Sequence, residues 1–190
     1  MHLFALILCI WLLPKGDTLK CFECISRNCT ETQRECPSEN HQCGVFRAIY
    51  YAGGSKSLDQ EFKTCFLPEE CGETSVNYGL SKIWVKTQCC NSNLCNTQSV
   101  PDSIKTTPNG RQCFTCDGST CDKTLACEGN EDLCVTETVD LGGNTTTVKG
   151  CISKLMCSVS NIFPSLFPRI KFSCCNGNFC NSAVTASAGL

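Results

Sequence analysis

An eight-residue box occurs twice in this 190-residue chain, CCNSNLCN at residues 89–96 and CCNGNFCN at residues 174–181, each time as the last cysteine-bearing segment before a polar run. Neighbouring α-carbons are about 3.8 Å apart, too close for a relaxed disulfide between adjacent cysteines. Each CC pair therefore sends its two sulfurs to different partners, and the box acts as a knot to which earlier segments are tied. The chain reads as one module used twice.

The cysteine spacing carries the repeat through the whole chain. From one cysteine to the next the first half advances 3, 5, 7, 7, 22, 6, 18, 1 and 5 positions, and the second advances 3, 5, 6, 7, 17, 6, 17, 1 and 5. The differences fall where loops belong. A period near 90 residues is far longer than a solenoid repeat, so these are expected to be tandem domains, each closing its own core.

Residues 3–13 (LFALILCIWLL) are an apolar run too short to span a bilayer, and the polar Lys15, Gly16, Asp17 and Thr18 follow. This is the pattern of a secretory signal peptide over residues 1–18, cleaved after Gly16 or Thr18. Cleavage removes Cys9, one of 21 cysteines, and leaves 20 split ten and ten. An even count in a secreted chain implies full pairing, though spacing alone leaves the connectivity open. Halves of about 70 to 75 residues bury little core, and no long 3.6-residue apolar period announces helices. Disulfides are then expected to supply about 2–4 kcal/mol each.

Between the cysteines the chain reads as β-hairpins. Residues 45–51 are β-branched and aromatic, Gly53, Gly54 and Ser55 signal a turn, and residues 58–65 return. Residues 135–141, a turn at Gly142, Gly143 and Asn144, and residues 145–151 repeat the plan. Residues 82–86 and 169–173 alternate apolar and polar, as half-buried strands do. The fold class is all-β. Residues 97–112 (TQSVPDSIKTTPNGRQ) are polar, lack cysteine and hold Pro101 and Pro108, which reads as a linker between domains at residues 19–96 and 113–181.

The opening Leu19-Lys20-Cys21-Phe22-Glu23-Cys24, the ten-cysteine order and the terminal CCNxxxCN box resemble the three-finger domain shared by lymphocyte antigen-6 proteins, snake three-finger toxins and the urokinase receptor. The resemblance covers both halves. It implies two tandem three-finger domains with five disulfides each: Cys21 with Cys43, Cys24 with Cys29, Cys36 with Cys65, Cys71 with Cys89 and Cys90 with Cys95. In the second domain it implies Cys113 with Cys134, Cys116 with Cys121, Cys127 with Cys151, Cys157 with Cys174 and Cys175 with Cys180. It also implies a structural role for Asn96 and Asn181, whose side-chain amides offer both donors and an acceptor to the main chain. Residues 108–113 and the Cys36 to Gly44 segment are similar to the two-domain gamma-type phospholipase A2 inhibitors and urokinase-receptor-like proteins. Unlike those inhibitors, this chain keeps Cys174, Cys175 and Cys180.

Charge points away from polyanions. The chain has 16 Lys and Arg against 18 Asp and Glu, and neither half has a long basic run, which argues against nucleic acid or a polybasic membrane patch. After signal cleavage His41 is the one histidine left to serve a serine or cysteine nucleophile, so no catalytic residue is assigned. The Cys21/Cys24 and Cys113/Cys116 pairs have metal or redox spacing, but secretion favours structural disulfides, and no metal or cofactor is assigned.

The remaining function is extracellular binding without catalysis. Residues 162–168 hold Ile162, Phe163, Leu166 and Phe167 between prolines, a rigid apolar tip suited to ligand contact or to packing between the domains. Phe46, Ile49, Tyr50, Tyr51 and Phe62 of the first central hairpin are a second candidate. The expected partner is a secreted protein, with phospholipase A2 suggested by the resemblance; the alternative is a cell-surface receptor or structural surface protein held by a glycolipid anchor. The small residues of 182–190 resemble the attachment site of such an anchor, without the apolar tail it requires. Sequons mark Asn144 and Asn28 as glycosylation candidates on an extracellular protein.

Overall fold

The long strands arise where the sequence places β-branched and aromatic residues on either side of a glycine pair. The computed structural model describes residues 18–26, 29–140, 142–143, 145–162 and 170–182. Module 1 holds β1 (Lys20–Glu23), β2 (Thr32–Glu35), β3 (Gln42–Ala52), β4 (Ser55–Phe66), β5 (Gly72–Asn77) and β6 (Ser81–Cys90). Module 2 holds β7 (Pro108–Thr115), β8 (Lys123–Glu128), β9 (Leu133–Asp140), β10 (Thr145–Ile152), helix α1 (Lys154–Ile162) and β11 (Ile170–Cys175). β3 turns into β4 through Gly53 and Gly54, with Ala52 paired to Ser55. Their φ values of 56° and 78° are those a two-residue hairpin turn demands and a side chain resists.

Five disulfides knot each module. Cys21 is joined to Cys43, Cys24 to Cys29, Cys36 to Cys65, Cys71 to Cys89 and Cys90 to Cys95. In module 2 Cys113 is joined to Cys134, Cys116 to Cys121, Cys127 to Cys151, Cys157 to Cys174 and Cys175 to Cys180. In each base two bridges touch: the Cys21 and Cys36 sulfurs are 3.2 Å apart, and those of Cys113 and Cys127 3.3 Å. These buried sulfur clusters are the core of a domain too small to build one from aliphatic side chains.

Beyond its own buried cluster, each module contributes to one core that the two share. A single antiparallel sheet runs β11-β9-β10-β5-β6-β3-β4, and the join is β5 of module 1 against β10 of module 2, where Asn77 pairs with Cys151 and Val76 with Ile152. Val76, Tyr78 and Ile83 of module 1 pack with Val135, Ile152 and Cys157 of module 2 in one cluster. The expectation of two self-contained cores is corrected on this point: the edge that β5 would leave bare is capped by a strand of the other module.

The third finger of module 2 departs from the expected strand pair, because its outgoing limb is α1. Ser153 starts the helix as an N-cap, with its Oγ accepting the Met156 N–H at 3.4 Å. Met156 and Cys157 then face the shared core.

The segment read as a linker is structured at both ends of its length. Val100 is fully buried against Val45, Ile49 and Trp84, with Ile104 beside it, so the chain after the first box lies as a strap over the module 1 sheet. Pro108 already belongs to β7. Two hydrogen bonds to its main chain and one ion pair hold the strap: Arg47 donates to the Val100 carbonyl at 2.6 Å, Glu61 accepts the Val100 N–H at 3.1 Å, and Lys56 meets Asp102 at 2.7 Å.

Candidate functional site

The box asparagines fix the base from which the fingers extend. Asn96 Oδ1 accepts the Phe22 N–H at 3.0 Å, while Nδ2 donates to the carbonyls of Phe22 and Gly44 at 2.9 and 3.1 Å. Asn181 repeats this with Phe114 and Val135, all at 3.0 Å. Both are buried. Just before each, Leu94 and Phe179 take φ values of 57° and 58°, left-handed conformations unusual for such side chains. Leu94 N–H donates to the Lys20 carbonyl and Phe179 N–H to the Gln112 carbonyl, so these residues are held from the N-terminal strand of each module.

On that base the module 1 sheet segregates charge between its faces. Strand alternation and register place Arg47, Lys56, Asp59, Glu61, Lys63, Glu73, Lys82 and Lys86 on the strap side with Trp84 and Ile49. The other side carries Leu58, Gln60, Phe62 and Thr64 of β4, Phe46, Ala48 and Tyr50 of β3, Ile83, Val85 and Thr87 of β6, and Thr74 and Val76 of β5, with no charged residue among them. Phe46 stacks on Phe62 at 4.2 Å, and Phe62 on Phe66 at 6.2 Å. Phe66 in turn lies over Gly44, where a Cβ would meet its ring at 2.5 Å. Phe46, Phe62, Tyr50, Ile83 and Val85 are half-buried on this face, which continues past Val76 into the shared core under α1. The face thus combines half-buried aromatic rings with an absence of charge among its strand residues.

The opposite face has the charges satisfied. Asp59 receives Arg47 Nε and Nη2 at 2.8 and 2.7 Å and Lys56 at 3.1 Å. The Arg47 hydrogen bond, with that from Lys56, holds the Asp59 carboxyl down at about 2. Trp84 Nε1 is buried with no hydrogen-bond partner among the described residues.

The seam between modules is polar on one side of the sheet. Glu131 is fully buried, with Oε1 2.8 Å from Lys82 Nζ and Oε2 accepting the Glu128 N–H at 2.8 Å and Asn77 Nδ2 at 3.3 Å. Lys82 also meets Glu128 at 2.8 Å. Burial is the largest influence on Lys82 and pulls its pKa down, but the hydrogen bonds and charges of Glu128 and Glu131 together outweigh it and leave the ammonium above its ordinary value. On the other side Tyr78 donates its hydroxyl to Glu137, whose carboxyl burial pushes up. Main-chain contacts complete the seam: Ser153 N–H donates to the Ser75 carbonyl at 2.9 Å, Ser75 N–H to Ser153 Oγ at 3.1 Å, and Asn130 Nδ2 to the Glu73 carbonyl at 2.7 Å.

Several residues singled out in the sequence fall elsewhere. Phe163, Leu166 and Phe167 lie outside the described residues, as do Asn28 and Asn144; Ile162 closes α1. The residues of the shared seam, Lys82, Asn77, Glu131 and Ser153, were not singled out. Of these, Ser153 before Leu155, Met156, Val159 and Ile162 carried a helix-start signal. His41 is half-buried, and its Nδ1 is 2.8 Å from Ser38 Oγ within one tight turn. The pair lies three residues apart in the Cys36–Cys43 interval. The Cys21/Cys24 and Cys113/Cys116 pairs each lead to two separate disulfide partners within their own module, four in all.

Two knotted, finger-bearing modules joined through one sheet define a tandem disulfide-rich all-β binding scaffold. The u-PAR/Ly-6 domain profile matches residues 17–98 and 109–183, and the chain belongs to that family. It is 30% identical over 191 residues to the urokinase plasminogen activator surface receptor of Mus musculus, covering 89% of this chain and 56% of the receptor. It is 28% identical over 177 residues to phospholipase A2 inhibitor CNF of Crotalus durissus terrificus, covering 84% and 87%, and 30% identical over 179 residues to phospholipase A2 inhibitor 1 of Protobothrops flavoviridis, covering 85% and 86%. The chain thus spans little more than half of the receptor and most of each inhibitor. These relatives are named as a receptor and as inhibitors. Among the described residues no helix is long and apolar enough to cross a membrane.

Proposed function

We propose that this protein is an extracellular binding protein that acts without catalysis and recognises a secreted protein through the uncharged face of its module 1 sheet. The observation that carries the reading is the charge segregation described above: eight charged residues on the strap side and none on the side where Phe46, Phe62 and Tyr50 remain half-exposed. An open face built for solvent alone would carry charge, whereas aromatic anchors in an uncharged field are what association uses. The apolar Ile162, Phe163, Leu166 and Phe167 follow from α1, which packs on the same sheet, and are proposed as further contacts. The names of the inhibitor relatives make a secreted phospholipase A2 the first partner class, and that of the receptor makes a plasminogen activator the second.

The test is a binding titration against a panel of secreted phospholipases A2 and plasminogen activators. Replacing Phe46 and Tyr50 together by Ser is expected to weaken binding by about 2 kcal/mol or more, roughly 30-fold. Phe163 and Phe167 to Ser should do the same if that tip is an anchor. A wild-type protein that neither binds any phospholipase of the panel nor slows lipid hydrolysis removes the inhibitor reading; binding unchanged by all four substitutions removes the face.

A further inference from the structure

The two modules treat one buried lysine differently. Lys63 and Lys149 each stand two residues before the cysteine that ends the central finger, Cys65 and Cys151, and each donates to the carbonyl that follows the box asparagine. Lys63 Nζ reaches the Thr97 carbonyl at 2.8 Å and Lys149 Nζ the Ser182 carbonyl at 3.1 Å. Lys63 has a second partner, the Glu31 carboxylate at 2.7 Å. Lys149 is more buried, 4% exposed against 9%, yet has no carboxylate within 4.0 Å among the described residues. An ammonium has three donors and is costly to bury without a counter-charge.

Strand register identifies what has changed. Thr32 pairs with Glu23 in module 1 as Lys123 pairs with Thr115 in module 2, with Cys21 opposite Arg34 and Cys113 opposite Leu125. Glu31 therefore corresponds to Asp122. Asp122 is one methylene shorter and its exposed carboxylate instead accepts the Thr120 hydroxyl. Beside Lys149 the structure opens a cleft of about 320 Å³, walled by the Cys116–Cys121 loop of module 2 with Ser119 and Thr120, by Thr147 of β10, and by Tyr78 and Leu80 from the third finger of module 1. Leu80 is 64% exposed at this cleft.

We propose that this cleft is a carboxylate-binding site in which an incoming carboxylate takes, at Lys149, the place that Glu31 takes at Lys63. The ammonium supplies the charge, the Thr147 hydroxyl supplies a neutral donor, and Leu80 offers an apolar contact to whatever bears the acid, while the Ser119 and Thr120 hydroxyls stay committed to Asp117 and Asp122. The carboxylate comes either from an acidic side chain of a protein or from a sialic acid. Its biological use as part of a partner epitope rests on the extracellular binding role proposed above, but the chemistry of the site is tested without any protein partner.

The experiment titrates N-acetylglutamate amide, N-acetylglutamine amide and N-acetylneuraminate into the folded, disulfide-bonded chain with isotope-labelled lysine, and follows the Lys149 side-chain resonances by NMR. A saturable shift is expected with at least one carboxylate probe at millimolar concentration, and at least about 10-fold weaker with the amide; the tighter carboxylate names the source. Lys149→Met removes that reporter, so the variant and the parent are compared with leucine labelled instead, and the probe-dependent shift of the Leu80 methyl resonances at the cleft should be lost in the variant. Because that variant also loses a framework hydrogen bond, Asp122→Glu provides the second arm: the longer side chain reaches Lys149 as Glu31 reaches Lys63, and should weaken the probe by about 10-fold or more, while Asp122→Asn leaves it bound. Lack of saturation by either carboxylate up to about 50 mM, equal shifts with the amide, or binding indifferent to Asp122→Glu overturns the proposal. A saturable site in a protein that captures no phospholipase or plasminogen activator would leave this site standing and remove only the partner.

Discussion

The main chain of Gly150 in module 2 lies against that of Asn77 in module 1 so closely that a Cβ at 150 would stand 2.0 Å from the Asn77 carbonyl oxygen and 3.1 Å from the Tyr78 Cα. Glycine is required here by contact between two backbones rather than by its own dihedral angles. Gly150→Ala cannot be absorbed by a flexible side chain, since the atoms met are main chain. The expected outcome is a loss of about 1–3 kcal/mol in unfolding free energy, a fall in Tm of several degrees, and a larger radius of gyration in solution scattering as the seam opens. A variant as stable and as compact as the parent would show that β5 and β10 do not meet in solution.

The buried ion pair behind that contact gives a sharper test of the seam. Removing one partner leaves an uncompensated charge out of water, so Lys82→Met should cost about 3–5 kcal/mol. Lys82→Met combined with Glu131→Leu removes both charges and should recover much of that loss. Chemical denaturation of the two single variants and the double variant measures the coupling; additivity would mean that Lys82 and Glu131 act independently.

On the strap side, Asp59 makes stability depend on acid. Its folded pKa of about 2 lies below the ordinary carboxylate value of 3.8, so the folded state holds this proton less tightly than the unfolded state. The resulting stability is fully present above about pH 4 and is lost as pH falls towards 2. Asp59 is partly exposed, and solvent screening limits the effect to the order of 1 kcal/mol. Asp59→Asn should flatten the pH dependence of unfolding between pH 4 and pH 2, while leaving the part of the curve near neutrality parallel to that of the parent.

Glycosylation is expected at Asn144, in the sequon that follows the exposed Gly142 and Gly143 at the end of the module 2 central hairpin. Expression through a eukaryotic secretory pathway followed by glycosidase treatment should lower the mass, and Asn144→Gln should remove most of that difference. Asn28, beside Cys29 in a disulfide loop of four residues between Cys24 and Cys29, is expected to carry the smaller share.

The knots and hairpins were legible in the sequence because they repeat: the box, the cysteine intervals and the Gly53-Gly54 turn each have a local signal. Connectivity was not, since ten cysteines per module admit many pairings and only the resemblance chose among them. The seam was invisible for a different reason. Ser75, Asn77 and Ser153 are small or polar with no strand signal, Gly150 lies in a limb legible only as half of its own hairpin, and the pairing joins positions more than 70 residues apart. The strap was masked by its polarity, because Val100 and Ile104 are isolated apolar residues in a stretch with the composition of a free linker. Helix α1, with nine residues and a disulfide cysteine in the middle, is too short for a period to stand out. The uncharged face could be recognised only after register had assigned each charged residue to a side.

The asparagines that end the boxes give the last prediction. Asn96 and Asn181 each use three side-chain hydrogen bonds to tie an N-terminal strand to the central finger, and both are buried. Aspartate keeps the shape and the acceptor but loses both donors, leaving the carbonyls of Phe22 and Gly44, or of Phe114 and Val135, facing a carboxylate. Each Asn→Asp variant is therefore expected to lose more stability than Asn→Ser, which removes the donors without adding a buried charge. About 2 kcal/mol or more is expected for Asn181→Asp, read as lowered Tm and reduced yield of the fully oxidised form. Because Asn181 bonds to Phe114 and Val135 within module 2, and the seam transmits loss of that module to β5, the module 1 signal should fall in the same transition. Near-ultraviolet circular dichroism of Trp84 supplies the readout: a separate, later transition for that residue would mean that the two modules unfold independently despite the continuous sheet.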